Sequence, residues 1–125
     1  MVNIADGWLL EVDRGPDWLF VRLHCPPDRP NDSPQVAEGL WGLMEQHLTN
    51  RLVLEMDDVT LLHSYLIGQL ILLYKRIHGR GGLLRISGLS AHNREVLRLC
   101  RMEQSFPLYD SRDEAMRCFR AALPN

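Results

Sequence analysis

Four side chains with chemical potential lie close together in MDDVTLLHSYL: Asp57, Asp58, His63 and Ser64. A serine attacks at neutral pH only beside a general base, and His63 is its immediate neighbour. Side chains adjacent in sequence seldom meet in nucleophile and base geometry, and the sequence offers no third orienting group or oxyanion donor. A small hydrolase using His63 and Ser64 is therefore the weaker reading, and the chain is expected not to be an enzyme. Asp57 and Asp58 follow an apolar run, where an α/β sheet places its ligand sites. A magnesium ion would want further oxygen ligands, which the sequence does not supply, so no metal is expected. The hydroxyl of Ser64 stands at the mouth of a helix. There it can cap a free backbone N–H or receive a phosphoryl group. A phosphate at a helix N-terminus is held by the dipole, whereas beside Asp57 or Asp58 it repels and can dislodge a docked partner.

The elements that position these residues follow from spacing. Arg51–Met56 is short and rich in Leu and Val, as a buried central strand is. From Tyr65, the residues Leu66, Leu70, Leu73 and Ile77, with Ile67, Ile71 and Tyr74 beside them, recur at helical intervals. The helix closes on Lys75, Arg76 and Arg80 and on Gly79, Gly81 and Gly82, which supply left-handed closing conformations. Leu83–Ser87 is a second apolar run. Strand, helix and strand with a crossover of this length make the two strands parallel. Phosphate-cradling glycines open a helix after a strand, whereas these end one, so the sequence carries no nucleotide-binding fingerprint, and no cofactor is expected.

Upstream, Gly7–Val12 and Asp17–Leu23 flank the turn Asp13-Arg14-Gly15-Pro16 and predict a β-hairpin, with Trp8 and Trp18 packing rather than stacking on a ligand. Cys25–Pro34 carries prolines at 26, 27, 30 and 34 and is a connection. Ser33-Pro34 opens a helix that runs to about Leu48, with Val36, Leu40, Leu43 and Met44 on one side. Downstream, Gly88 and Ser90 introduce a helix in which Val96, Leu97 and Cys100 share a face. Phe106–Tyr109 is β-like, and Ser111-Arg112-Asp113-Glu114 has capping-box spacing before a last helix facing inward with Ala115, Cys118, Phe119 and Ala122. The predicted order is β-β-α-β-α-β-α-β-α.

With 125 residues, 46% of them apolar and 24% charged, the chain suits one globular domain spanning 1–125. A net charge of -2 and a pI of about 6.2 argue against a general binder of nucleic acid or anionic membrane. Cys25, Cys100 and Cys118 lack metal-type spacing and are expected to be buried free thiols. No apolar run approaches the roughly 20 residues of a membrane span, and MVNIADGW lacks the regions of a signal peptide, so the expected location is cytoplasmic.

The run from Val53 to Met116, with Gly68, Arg76, Gly81, Gly82, Gly88, Leu89, Ser90, Phe106 and Asp110 at matching places, resembles the STAS domain of bacterial anti-sigma factor antagonists. The resemblance implies a single STAS-like α/β domain, a mixed sheet of four or five strands with helices mainly on one face. It also implies partner switching: binding to an anti-sigma factor of the serine-kinase type, phosphorylation at the start of the central helix, release, and resetting by a phosphatase. Carried onto this chain, Ser64 is the candidate phosphoacceptor, and Asp57, Asp58, His63, Ser64, Tyr65 and Leu66 form the expected partner surface. His63-Ser64-Tyr65-Leu66 stands where the family has Asp-Ser-Ser/Thr-Gly. Only the first hydroxyl is kept. The alternative is a divergent scaffold that assembles with other STAS domains and is never phosphorylated.

Overall fold

Leu52, Val53 and Leu54 are all fully buried, so the strand that holds them is covered on both faces, and the rest of the chain is arranged to cover it. The computed structural model describes residues 2–5, 8–25, 35–60, 62, 64–102 and 106–121, with backbone alone for 5 and 117–121. The elements are β1 (Val2–Ala5), β2 (Trp8–Arg14), β3 (Leu19–His24), α1 (Val36–Gln46), β4 (Arg51–Glu55), α2 (Ser64–Gly79), β5 (Leu83–Ser87), α3 (Ala91–Leu99), β6 (Leu108–Tyr109) and α4 (Arg112–Ala121). The strands form one sheet in the order β1-β2-β3-β4-β5-β6. The first three pair antiparallel, and β3 through β6 pair parallel.

The α/β mixed sheet is as expected, but it has six strands rather than four or five. The extra strand is β1, in which Val2 pairs with Leu10 and Asn3 with Leu9. Four residues carry too short a period to announce a strand, and pairing with β2 supplies the ladder. The hairpin also tightens: Asp13 and Arg14, read as turn residues, pair with Phe20 and Leu19. The turn closes with Gly15 N–H donating to the Trp18 carbonyl at 2.9 Å.

One core lies beneath α1, α2 and α3, where Leu40, Met44, Leu66, Leu70, Leu73, Ile77 and Leu97 meet the inward residues of β2 to β5. On the opposite face Trp18, Phe20, Val53 and Ala115 form a smaller cluster under α4. The Ser33-Pro34 start of α1 lies outside the described residues. Gln35, which flanks the helix, makes no side-chain cap; Ala37 N–H donates instead to Gln69 Oε1 of α2 at 3.0 Å.

Helices α1, α2 and α3 all close through the same pair of reversed hydrogen bonds, with the third residue past the helix donating back five residues. The donors and acceptors are Thr49 to Met44 at 3.1 Å, Gly82 to Ile77 at 2.9 Å and Met102 to Leu97 at 2.9 Å. This closure puts one residue in the left-handed region. In α2 it is Gly81, with φ 72, whereas α1 uses Leu48 at φ 55 and α3 uses Arg101 at φ 59. The last closure overturns the expected burial of Cys100. The helix ends one residue before it, so the 3.6-residue period no longer governs its side chain, which is exposed.

Candidate functional site

The loop joining β4 to α2 rises from the carboxyl edge of the parallel sheet and is anchored at three points. Met56 N–H donates to the Ser87 carbonyl at 2.8 Å, which carries the β4–β5 pairing one residue past β4. Val59 and Leu62 turn inward and are buried. Between them reaches Asn93 of α3, fully buried: its Oδ1 accepts from Leu62 N–H at 2.9 Å, and its Nδ2 donates to the Val59 carbonyl at 3.1 Å. Asn93 is itself held in the first turn of α3, where its backbone N–H donates to Ser90 Oγ at 3.1 Å. One amide side chain thus satisfies two inward backbone groups that would otherwise be buried without partners.

Asp57 and Asp58 sit on the exposed turn of this loop. Arg22 Nη2 lies 3.8 Å from Asp57 and 3.6 Å from the buried carboxylate of Glu55. The two ring nitrogens of His24 each lie 3.0 Å from a carboxylate oxygen, one of Asp58 and one of Glu11. The acidic pair is therefore engaged with cationic and imidazole groups of β3. Among the described residues no group of three or more His, Cys, Asp or Glu is placed to hold a metal ion. Asp57 also lies directly over Gly88: a Cβ there would come within 2.3 Å of the Asp57 Oδ1, and Gly88 has φ 77. The glycine gives both the reversed turn after β5 and the space for the carboxylate.

Glu55, at the end of β4, is 4% exposed and accepts from Arg112 Nη2 at 2.6 Å and Nε at 3.3 Å. Arg112 also donates to Asp13 at 2.6 Å and lies over the Phe20 ring at 4.3 Å. The hydrogen bond to Glu55, with a smaller contribution from Asp13, raises the guanidinium pKa above its ordinary value. This network fixes the start of α4 to the end of β4.

Of the expected contact residues, Asp57, Asp58 and Ser64 are exposed and Tyr65 is half-buried. His63 lies outside the described residues. Leu66 is a correction: it is 0% exposed, because two residues into α2 the helical repeat already points into the core. Ser64 is the first residue of α2, and no acidic residue stands in that first turn, so the positive end of the helix is not offset there by a helix carboxylate. Arg22, His24, Glu55, Asn93 and Arg112 were not singled out by sequence. Only Asn93 left a trace, as an amide three residues after a capping serine.

These features define an α/β domain that presents one pinned loop and one helix start at the carboxyl edge of its sheet. A family model described as the STAS domain matches residues 13–115, and the chain belongs to that family. Among solved structures it is similar to an anti-sigma factor antagonist from Mycobacterium paratuberculosis, 17% identical over 90% of this chain and 94% of that one, with a TM-score of 0.73. A STAS domain protein from Planctomyces limnophilus is 19% identical over 89% and 97%, TM-score 0.73. The anti-sigma factor antagonist SpoIIAA in its unphosphorylated form is 15% identical over 93% and 98%, TM-score 0.61. No curated protein matches the sequence. At these identities the solved structures establish the fold, and the family supports a regulatory rather than an enzymatic class.

Proposed function

We propose that the protein is a regulatory binding module that docks an anti-sigma factor of the serine-kinase type through the Asp57–Tyr65 surface, and that a phosphoryl group on Ser64 controls the docking. The observation that carries this reading is the exposed Ser64 at the first turn of α2, beside a loop whose Val59 and Leu62 backbone groups are both hydrogen-bonded to the buried Asn93. A preorganised surface loses little ordering entropy when a partner binds. A phosphate on Ser64 adds a charge of about -1.5 to -2 at the rim of a surface that already carries Asp57 and Asp58. The positive end of α2 holds that charge in place while the docked face becomes more negative. A phosphatase resets the module, and the expected location is the cytoplasm.

The test is the intact mass, with site mapping, of protein purified from its own cells, compared with Ser64→Ala. One added phosphate that maps to Ser64 and vanishes in the variant supports the switch. Protein that stays unmodified in every growth condition, and gains no phosphate from a cognate kinase and ATP, refutes it. That outcome would favour the second reading, a scaffold assembling with other STAS domains. Tyr65 and Leu66 support that reading, since they stand where the family has a second hydroxyl and a glycine.

A further inference from the structure

The two acids on the exposed turn of the β4–α2 loop have partners of different kinds on β3. Asp57 faces Arg22, and a guanidinium keeps its charge across the working pH range. Asp58 faces His24, and imidazole is the side chain that gains and loses its charge between about pH 5 and 8. A second acid stands on the far side of the ring. His24 Nδ1 lies 3.0 Å from Asp58 Oδ2, and Nε2 lies 3.0 Å from Glu11 Oε1 of β2. A neutral imidazole carries one N–H and one lone pair, while a carboxylate only accepts. The neutral ring can therefore donate to one of these acids, and at the other two lone pairs stand opposed at 3.0 Å. Only the imidazolium, with an N–H on each side, satisfies both contacts at once. The His24 side chain is 29% exposed, so protons reach it from solvent without any opening of the core. The other charged groups of this face, among the described residues, are matched to one another: Arg22 with Asp57 and Glu55, and Arg112 with Glu55 and Asp13.

We propose that His24 is a proton-operated latch on this loop: the protonated ring ties Asp58 to Glu11, and loss of one ring proton to water releases Asp58. The arm that opens follows from the backbone. Glu11 and His24 are diagonal neighbours on paired strands, opposite Arg22 and Leu9, so the ladder fixes their separation and the neutral ring keeps its proton on Nε2, toward Glu11. Asp58 sits on a turn between the anchors at Met56 and Val59. Asn93 holds Val59 and Leu62 in both states, so the Asp58 carboxylate moves and the loop as a whole does not. Release removes the imidazolium charge and leaves Asp58 unpaired. The docking face therefore becomes more negative as pH rises through the imidazole range, and a partner presenting cations there binds more tightly at the upper end. Asp57, on its guanidinium, does not respond. This consequence for docking rests on the proposed function of the Asp57–Tyr65 surface, whereas the latch itself rests on Glu11, His24 and Asp58 alone.

An NMR titration of the isotope-labelled chain between about pH 5 and 8 reads each group separately. The ring nitrogens of His24 report its charge and tautomer, and the carboxyl carbons of Asp57 and Asp58 report the two loop contacts. The expected result is a shift of the Asp58 carbon in the same pH step as the His24 ring, no such step at Asp57, and a neutral ring with its proton on Nε2. Glu11→Gln should lock the latch. Its amide can donate to Nε2 of the neutral ring, which leaves the Nδ1–H to Asp58, so the tautomer inverts and the Asp58 step shrinks. In His24→Gln the Asp58 step should vanish. An Asp58 carbon that stays level while wild-type His24 titrates overturns the proposal, and so does a Glu11→Gln variant with the wild-type tautomer and the wild-type Asp58 step. Neither outcome alters the phosphate analysis of Ser64, which reads a different property.

Discussion

Replacing Asn93 with alanine should release the loop that forms the candidate docking surface. The variant deletes an acceptor 2.9 Å from Leu62 N–H and a donor 3.1 Å from the Val59 carbonyl, both in buried surroundings. Each orphaned backbone group costs about 1–3 kcal/mol, and partial relaxation of the loop toward water lowers the sum to about 3 kcal/mol. That is a large share of the roughly 5–15 kcal/mol by which a domain is stable. In urea, with a slope of about 2 kcal/mol/M, it moves the unfolding midpoint down by about 1.5 M. Asn93→Asp should be worse at neutral pH. It retains the acceptor for Leu62 but points a second carboxylate oxygen at the Val59 carbonyl. The buried acid has its pKa raised in the folded state, so its stability relative to alanine is kept at low pH and lost as pH rises. Urea midpoints should be read with native-state exchange of the Leu62 amide, which loses protection before the rest of the core. A loss below about 0.5 kcal/mol with Leu62 still protected would refute the assignment of Asn93 as the pin.

Four further outcomes follow from individual residues. Gly88→Ala puts a side chain at φ 77 and a Cβ 2.3 Å from Asp57 Oδ1, so it should cost about 1–2 kcal/mol in backbone strain plus the displacement of Asp57. In an Asp57→Gly background only the strain should remain in the urea midpoint. Leu48→Gly should stabilise by about 1 kcal/mol, because Leu48 closes α1 at φ 55 with 91% of its surface exposed and has little packing to lose. A fall in melting temperature would contradict that account. Burial pushes the Cys25 thiol up from 9.0 to about 12, whereas Cys100 is exposed. Thiolate is the reactive form, so a disulfide reagent at pH 8 should lose more of its fast phase in Cys100→Ser than in Cys25→Ser. Between pH 9 and 12 the unfolded chain releases the Cys25 proton and the folded chain keeps it. The stability associated with that thiol is therefore whole below pH 9 and declines above it, and wild type should lose more stability than Cys25→Ser between pH 7 and 10.

The sequence by itself determined what depends on neighbours along the chain. The apolar run Arg51–Met56, the helical repeat from Leu66 to Ile77 and the glycines that close α2 are local patterns, each with a local cause; the strand ends one residue sooner, at Glu55, and the helix and its closure stand as expected. Serine at the start of α2 and the acidic pair after β4 were legible for the same reason. Tertiary structure decided what depends on residues brought from elsewhere. Val2–Ala5 is a strand because β2 lies beside it. Cys100 is exposed because its helix ends one residue early, and Leu66 is withdrawn from the surface because α2 already faces the core there. The partners of the site come from other elements: Arg22 and His24 from β3, Gly88 from the turn after β5, Asn93 from α3. A side-chain amide or a missing Cβ carries no periodic signal, and its role exists only once packing has set a buried carbonyl or a carboxylate against it.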